Sequence, residues 1–295
     1  MNENRFIQDY LLKLTNGNKF ARNLEDDVSN IEEYIVNTDT SIEGIHIVPN
    51  LPVNFIAYKA MARSFSDIFA KCDACSKLIG YFLNIILPKD FNQFTQLTQG
   101  FDDFARKYNV DLLGGDTSVH HSKNIIIVVT VIANISKTRQ TPQRNAAKIG
   151  DNIFITKNIG EAFLGYKKIN GKFLNFDDDS VIEYLTPTLV QIEDFSKINA
   201  SMDISDGLIQ DANKMASVSR CHFEIDFNLL PFARGITTEM LSVGLSFGDD
   251  YNILCTSKEE TIPNCTKIGI VTDGIGVELI NSPFEVNIQG FDHFS

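Results

Sequence analysis

The sequence has no long apolar run. Segments such as 125–132 are far shorter than the roughly 18 residues that a membrane helix needs. The N-terminus also lacks a basic start followed by an apolar stretch, so no signal peptide is predicted. We therefore expect a cytoplasmic protein that does not associate with a membrane.

Basic residues are scarce. The chain has 26 Lys and Arg against 38 Asp and Glu, which gives a net charge of −12. A general nucleic-acid binder needs a basic surface, so we expect no nucleic-acid partner. Phosphate ligands are still compatible with this charge, because carboxylates can hold divalent cations that bind a polyanion.

Paired cysteines are also missing. The five cysteines are an odd number, which favours free thiols in a cytoplasmic chain. Cys72 and Cys75 form a C-x-x-C pair, but no second pair completes a zinc site. We expect neither zinc nor redox chemistry at this pair.

The common nucleotide-binding and hydrolase motifs are absent. The sequence contains no G-x-x-x-x-G-K-[ST] loop, no G-x-G-x-x-G, no protein-kinase signature set and no G-x-S-x-G elbow. If ATP binds, it must therefore bind on another scaffold.

What is present is an alternation of strands and helices over 295 residues, of which 43% are hydrophobic. The periodicity predicts helices over 5–15, 54–70, 91–108, 161–169 and 208–217, and strands over 33–38, 77–87, 110–113, 124–135, 152–156, 200–202, 221–226, 251–256 and 267–271. The polar stretch 136–151 is the best candidate for a boundary. We predict two α/β domains, 1–137 and 138–295.

Aspartates recur beside the predicted strands and helices. They are Asp26, Asp27, Asp39, Asp67, Asp116, Asp203, Asp206, Asp249 and Asp250. Any one of them could be a turn former or a helix cap. Many carboxylates converging at one place would repel each other unless cations lay among them, and Mg²⁺ prefers carboxylate and phosphate oxygens. The recurrence therefore predicts a multi-metal phosphate site.

Two glycine-containing segments fit such a site. Gly114 and Gly115 precede Asp116 and would let the backbone approach a bound group closely, and Gly207 would open a helix whose N–H groups could face a phosphate. A plain tight turn is the alternative for both segments.

Taken together, these segments resemble the thiamine-monophosphate kinase family, whose superfamily includes aminoimidazole ribonucleotide synthetase and selenophosphate synthetase. The similar stretches run in order from Asp26 to the C-terminus. They are 26–27, 37–40 with 44–46, 57–60 leading to 66–67, 113–117, 144–151, 202–208, 246–251 and 290–294. The segments at His46, at 248–251 and at 290–294 point to the thiamine branch.

The resemblance implies an architecture. It is an α/β (α+β), two-domain, aminoimidazole ribonucleotide synthetase-like fold with a C-terminal α/β domain. The N-terminal sheets of two subunits would join in a homodimer with a barrel-like core.

The resemblance also implies an activity, the ATP-dependent phosphorylation of thiamine monophosphate to thiamine diphosphate with several Mg²⁺ ions. The acceptor phosphate is mostly a dianion at neutral pH, because its second pKa is about 6. It is already a nucleophile, so we expect direct in-line transfer without a general base.

Roles for individual residues follow from the same resemblance. The metal ligands would be Asp27, Asn37 through its backbone, Thr38, Asp39, Asp67, Asp116, Asp203 and Asp206. Gly115, Asp116, Arg144 and Ser205 would contact ATP. His46, Asp249 and Phe291 would contact thiamine monophosphate.

The sequence departs from the family pattern at a few positions. Glu25 stands where the family usually has Gly, Asn37 where Ser or Ala is common, Val190 where an Arg is usual, and Asp249 where Glu is usual. Two alternatives stay open. One is another ATP-dependent synthetase of the superfamily, acting on a purine intermediate or on a selenium or sulfur compound. The other is a nucleotide- and metal-binding protein without turnover.

Overall fold

Two β-sheets organise the chain, one in each half of the sequence. The structure is a computed structural model, and it describes residues 3–74, 76–135, 141–171, 175 and 178–285. The chain begins with the short helix α1 (Glu3–Phe6), a π-helical turn at Ile7–Leu11 and 3₁₀ turns at Leu12–Thr15 and Lys19–Leu24. Residues 5–15, which we predict to form one helix, are therefore helical but consist of several irregular turns.

The first sheet has five strands. They are β1 (Ser29–Ile31), β2 (Tyr34–Ile42), β3 (Lys77–Pro88), β4 (Leu112–His120) and β5 (Ile126–Asn134), in the order β1-β2-β5-β3-β4. The pairs are antiparallel except for β3 with β4. Helices α2 (Val53–Phe69) and α3 (Phe94–Tyr108) belong to the same half, and α2 packs against β2 and β5.

The second sheet has six strands. They are β6 (Asn152–Ile155), β7 (Ala200–Ile204), β8 (His222–Asp226), β9 (Asn252–Ser257), β10 (Thr266–Thr272) and β11 (Gly276–Ile280), in the order β11-β8-β10-β6-β9-β7. Among the described strands of this sheet, the β8–β11 pair is parallel and the other pairs are antiparallel. The helices of this half are α4 (Glu161–Asn170), α5 (Asp179–Leu185), α6 (Leu208–Ser219) and α7 (Leu241–Ser246).

The hydrophobic cores do not follow the division of the sequence strictly. Phe65 and Phe104 are fully buried in the core of the first half, and Tyr184 and Leu185 of α5 belong to that same core. Helix α5 therefore links the two halves. The boundary predicted between residues 137 and 138 lies outside the described residues and stays a prediction.

Two aspartates predicted at strand ends lie within strands instead. Asp39 is in the middle of β2, and Asp116 is in the middle of β4, which extends well beyond the predicted 110–113. Gly114 and Gly115 are predicted to let the backbone approach a bound group, with a plain tight turn as the alternative. A Cβ at Gly115 would approach the carbonyl oxygen of Leu83 to 1.9 Å, so the glycine serves close strand packing inside the sheet.

The structure also bears on the state of the cysteines and on whether any helix could span a membrane. Cys72, Cys221, Cys255 and Cys265 are free thiols, and Cys75 lies outside the described residues. Within the described parts of the chain, no helix has both the length and the apolar character needed to cross a bilayer.

Candidate active site

Three carboxylates from distant parts of the chain meet between the two halves. Asp27 precedes β1, Asp67 lies in the last turn of α2, and Asp203 lies in β7. One oxygen of each lies within 4.8 Å of the others. We call these three residues the acidic cluster.

Neighbouring side chains fix the acidic cluster in place. The Asn37 amide donates to Asp67 at 2.7 Å and to the Ser64 carbonyl oxygen at 3.0 Å. The Ser66 hydroxyl donates to Asp203 at 2.7 Å. Asn37 is therefore a support for Asp67, with its side-chain amide turned toward the carboxylate.

Of the three members of the acidic cluster, Asp27 is the one paired with cations, the buried Lys71 and the half-buried Arg144. The Arg144 guanidinium donates to Asp27 Oδ1, and Lys71 Nζ lies 3.1 Å from Asp27 Oδ2 and 2.7 Å from Asp26 Oδ1. Burial opposes ionisation of Asp27, but Arg144 and Lys71 outweigh it, so the net effect is a lowered pKa.

The other two members of the acidic cluster behave in the opposite way. Burial raises the pKa of Asp67, and the nearby carboxylates of Asp203 and Asp27 raise it further. Burial, followed by the charge of Asp27, raises the pKa of Asp203 to about 7. An excess of buried negative charge on an all-oxygen donor set is the environment that a hard divalent cation such as Mg²⁺ stabilises.

A cavity of about 440 Å³ opens beside the cluster, and we call it the acidic cavity. Its lining includes Ile7, Leu24, Asp39, Arg63, Asp67, Arg144, Asp203, Ser205, Asp206, Lys214 and Tyr251. Both carboxylates and cations line it, so it can hold a polyanion together with metal ions.

A second cavity, of about 480 Å³, adjoins the first, and we call it the aromatic cavity. The Tyr166 ring lies 5.0 Å from that of Phe247 and 5.9 Å from that of Tyr184, centroid to centroid. His46 and Asp249 complete part of the wall. Such aromatic faces suit a flat, cationic ring system.

The two cavities share Arg63, Ser205 and Asp206. The turn that carries Ser205 and Asp206 is fixed by the fully buried Asp211, whose Oδ2 accepts both backbone N–H groups at 2.9 Å. Lys214 pairs with Asp206 and with Asp211. A group bound at this turn would face both cavities.

Asp249 is held by a dense set of donors. Its Oδ2 lies 3.0 Å from the ammonium of Lys59, and its Oδ1 accepts a 2.7 Å hydrogen bond from the Tyr251 hydroxyl. Burial would raise the pKa of Asp249, but Lys59 and Arg63 outweigh it and the pKa is lowered. Asp249 therefore stays ionised.

His46 reaches the aromatic cavity from the loop after β2. Its Nδ1 accepts the backbone N–H of Ile42 at 3.0 Å. A neutral ring therefore carries its proton on Nε2, which is the tautomer that can donate through that nitrogen.

The structure does not bring every predicted residue to these cavities. Thr38 lies on the opposite face of β2 from Asn37 and Asp39, and its hydroxyl pairs with Thr130 at 2.9 Å. Gly115 and Asp116 are exposed on β4, at the edge of the first sheet. Phe291 lies outside the described residues.

Several cations of the site were not predicted. They are Lys59, Arg63, Lys71 and Lys214. Lys59 and Arg63 are one helical turn apart in α2. Apolar spacing and the family resemblance at 57–60 and 66–67 both drew on this segment, but neither assigned a role to these two cations. A pair of cations on the inner face of an apolar helix is the signal that could have identified them.

The comparisons with known proteins agree with this geometry. Residues 25–135 match the family described as "AIR synthase related protein, N-terminal domain". The thiamine-monophosphate kinase of Haemophilus influenzae is 30% identical over 88% of this chain and 86% of its own length. That of Buchnera aphidicola subsp. Schizaphis graminum is 29% identical over the same shares.

Solved structures agree as well. The structure described as "AaThiL complexed with AMPPCP and TMP" superposes with a TM-score of 0.83 at 25% identity, covering 100% of this chain and 99% of that one. The thiamine monophosphate kinase from Aquifex aeolicus gives a TM-score of 0.77 over 93% of this chain and 97% of its own, also at 25% identity.

Proposed function

The chain belongs to the thiamine-monophosphate kinase family, and we propose that it transfers the γ-phosphoryl group of ATP to thiamine monophosphate, which gives thiamine diphosphate and ADP. The observation that carries this proposal is the pair of adjoining cavities. One is rich in carboxylates and cations, the other is lined by aromatic rings, and they meet at the turn that carries Ser205 and Asp206.

The acidic cluster is the part of the site that fits Mg²⁺. Asp27, Asp67 and Asp203 would hold it, since their oxygens converge and two of the three carboxyls have raised pKa values. When bound, the ion supplies positive charge that offsets the charge of the ATP phosphates. Asp39 and Asp206 line the same cavity and are proposed as further ligands.

The aromatic cavity would receive thiamine monophosphate. Tyr166, Tyr184 and Phe247 would stack on its rings, and His46 and Asp249 would contact its polar groups. The phosphate would then point to the wall shared with the acidic cavity. This dianion can attack the γ-phosphorus directly, so no side chain needs to remove a proton.

The nucleotide would lie in the acidic cavity, where Arg144 and Ser205 would contact its phosphates. We also propose that the chain forms a homodimer through its first sheet. Val119 on the edge strand β4 is 68% exposed, and Gly115 and Asp116 of the same strand would reach a nucleotide only in such an assembly. Light scattering at micromolar concentration tests this, and a monomer would contradict it.

The experiment that tests the proposed function is a coupled assay of ADP release by the purified protein. ADP should appear only when ATP, Mg²⁺ and thiamine monophosphate are all present. Free thiamine should be a poor acceptor, because it lacks the dianionic nucleophile. Equal rates with thiamine and with its monophosphate would contradict the proposal, and so would turnover only with a purine or selenium substrate.

Nucleotide binding without ADP release would indicate the alternative of a binding protein. We place the enzyme in the cytoplasm, where its co-substrate ATP is made available, and cell fractionation with recovery in the membrane pellet would overturn that.

A further inference from the structure

Arg63 lies where the two cavities meet. Its side chain extends from helix α2 and lines both cavities. Of the three residues that the cavities share, Arg63 is the positively charged one. Its side chain is 16% exposed, so the guanidinium is largely withdrawn from bulk water while still reaching the cavity walls.

The ion pairs of Arg63 are long. Its Nε lies 3.5 Å from Asp39 Oδ2, and its Nη1 lies 3.6 Å from Asp249 Oδ1. Both distances exceed the 2.7–3.2 Å that is typical of a hydrogen bond. Within the described residues, the buried Nε has no hydrogen-bond acceptor. The neighbouring Lys59, by contrast, reaches the other oxygen of Asp249 at 3.0 Å.

This pairing leaves the guanidinium suited to a ligand. A planar fork of N–H donors matches the oxygens of a phosphoryl group better than a point charge does. Asp39 and Asp249 lie near Arg63 at distances that leave its Nε donor unsatisfied, and Tyr251 also interacts with the guanidinium. A phosphoryl group at the junction would accept hydrogen bonds from the guanidinium.

We propose that Arg63 is a catalytic residue. Its guanidinium contacts the phosphoryl group while this group is transferred from the nucleotide in one cavity to the acceptor in the other. This inference rests on the proposed function. In the step, an oxygen of the acceptor phosphate forms a bond to the γ-phosphorus. The bond from that phosphorus to the β–γ bridging oxygen breaks, and its electron pair stays on ADP. Arg63 keeps its proton and donates hydrogen bonds to the equatorial oxygens, where negative charge accumulates.

The alternative is that Arg63 is only a structural link between Asp39 and Asp249. Three variants separate the two roles: Arg63→Ala, Arg63→Lys, and Arg106→Ala as a matched control. Arg106 lies on the outer face of α3 in an exposed ion pair with Asp102, and it contributes to neither cavity. Initial rates of ADP release are measured over ranges of both substrates, beside a melting curve of each protein.

We expect kcat of Arg63→Ala to fall by about 1000-fold, a loss comparable to that of other phosphoryl-contacting arginines. The KM values should change far less. Arg63→Lys should recover part of kcat, because it keeps the charge but lacks the fork. Guanidinium chloride at low millimolar concentration should partly restore Arg63→Ala, since the truncation leaves a space of matching shape. Arg106→Ala should behave as the wild type.

A kcat of Arg63→Ala within about threefold of the wild type would overturn the inference, and so would a loss confined to KM. If Arg63→Ala does not fold, Arg63→Lys decides, because a wild-type kcat in that variant excludes a requirement for the fork. A wild-type protein that releases no ADP with thiamine monophosphate would instead overturn the proposed function.

Discussion

The two cavities use the same functional group, a buried aspartate, in opposite electrostatic states. Asp203 has its pKa raised to about 7 in the acidic cluster, whereas the pKa of Asp249 is lowered at the aromatic cavity. Burial disfavours the charged form of both. The difference lies in their neighbours: Asp203 faces other carboxylates, while Asp249 faces Lys59 and Arg63.

This difference separates two tasks. A carboxylate that already has cations of the protein beside it is a fixed charge, suited to holding a wall in place. Asp67 and Asp203 have no such partner in the acidic cluster and require a cation from solution, whereas Asp27 already has Arg144 and Lys71 beside it. We infer that the acidic cluster is built for metal because two of its three carboxylates lack a cation of the protein, and that Asp249 is built for orientation.

The largest effect is expected from Asp203→Asn, which removes one charge from the acidic cluster and keeps the shape. Turnover should fall by about 1000-fold, or about 4 kcal/mol of transition-state stabilisation. The metal-free protein should melt at the same or a higher temperature, because like-charge repulsion is relieved. The stabilisation by Mg²⁺ and ATP should shrink. The assays are ADP release and paired melting curves.

The matched control for this change is Asp102→Asn, in the exposed pair with Arg106. It should leave both readouts unchanged. Wild-type turnover of Asp203→Asn would remove the distinction between the two cavities.

The next effect is expected from Lys59→Met, which makes the neighbourhood of Asp249 more like that of the acidic cluster. The Lys59 ammonium is fully buried, donates to the Tyr184 carbonyl oxygen at 3.0 Å and lies 3.3 Å from the centre of the Tyr184 ring. Its loss should lower the free energy of unfolding by about 3 kcal/mol, because Asp249 loses its nearest cation. Denaturant unfolding measures this.

A double variant tests the cause of that loss. Asp249→Asn on the Lys59→Met background should cost less than the two single changes added together, since the amide needs no counter-charge. Strict additivity would show that the two residues are not coupled and would weaken the comparison.

The smallest effect is expected from pH. A carboxyl whose pKa is raised in the folded state binds protons more tightly there, so stability rises as the pH falls from about 7 toward 4. For Asp203 the gain between pH 7 and pH 5 is about 2 kcal/mol. Mg²⁺, or the Asp203→Asn change, should remove this part of the slope. The measurement is unfolding in EDTA and in Mg²⁺ across this range.

Other groups set limits on that measurement. Burial also raises the pKa of Asp250 to about 7, although hydrogen bonds from the N–H groups of Gly160 and Ala162 oppose this rise. The pH dependence of stability that Asp250 causes should persist with Mg²⁺. The pKa of Asp249 is lowered, so the stability that its charge provides is lost only below about pH 3.8. A slope between pH 7 and 5 that is the same with and without Mg²⁺ would contradict the assignment of metal to the cluster.

The fold illustrates how far the pattern of residues can be followed. The apolar spacing predicted α2 and β3 to within a residue at each end, because both are long and strongly periodic. The same approach stopped β4 too early at Gly114-Gly115. A glycine required by a neighbouring backbone cannot be told from a turn glycine without knowing which strand lies beside it.

The residues of the site also divide into those that the sequence could predict and those that it could not. The aspartates could be proposed from their recurrence and from the family resemblance, because an acid near a β-strand is visible in the sequence. Their partners could not. Lys71 is separated from Asp27 by 44 positions and from Ser201 by 130, and the charge balance that distinguishes Asp27 from Asp203 depends on those contacts.

By itself, the sequence determined the type of chemistry: a strongly acidic chain without a phosphate loop, with repeated aspartates in segments similar to those of a kinase family. Composition and local spacing suffice for this, because they are properties of short stretches. Only the tertiary structure decided which aspartates converge, which of them a buried lysine or arginine neutralises, and that Arg63 stands between the two cavities. Those outcomes depend on distances between residues far apart in the chain, and on the burial that strengthens their electrostatic interactions.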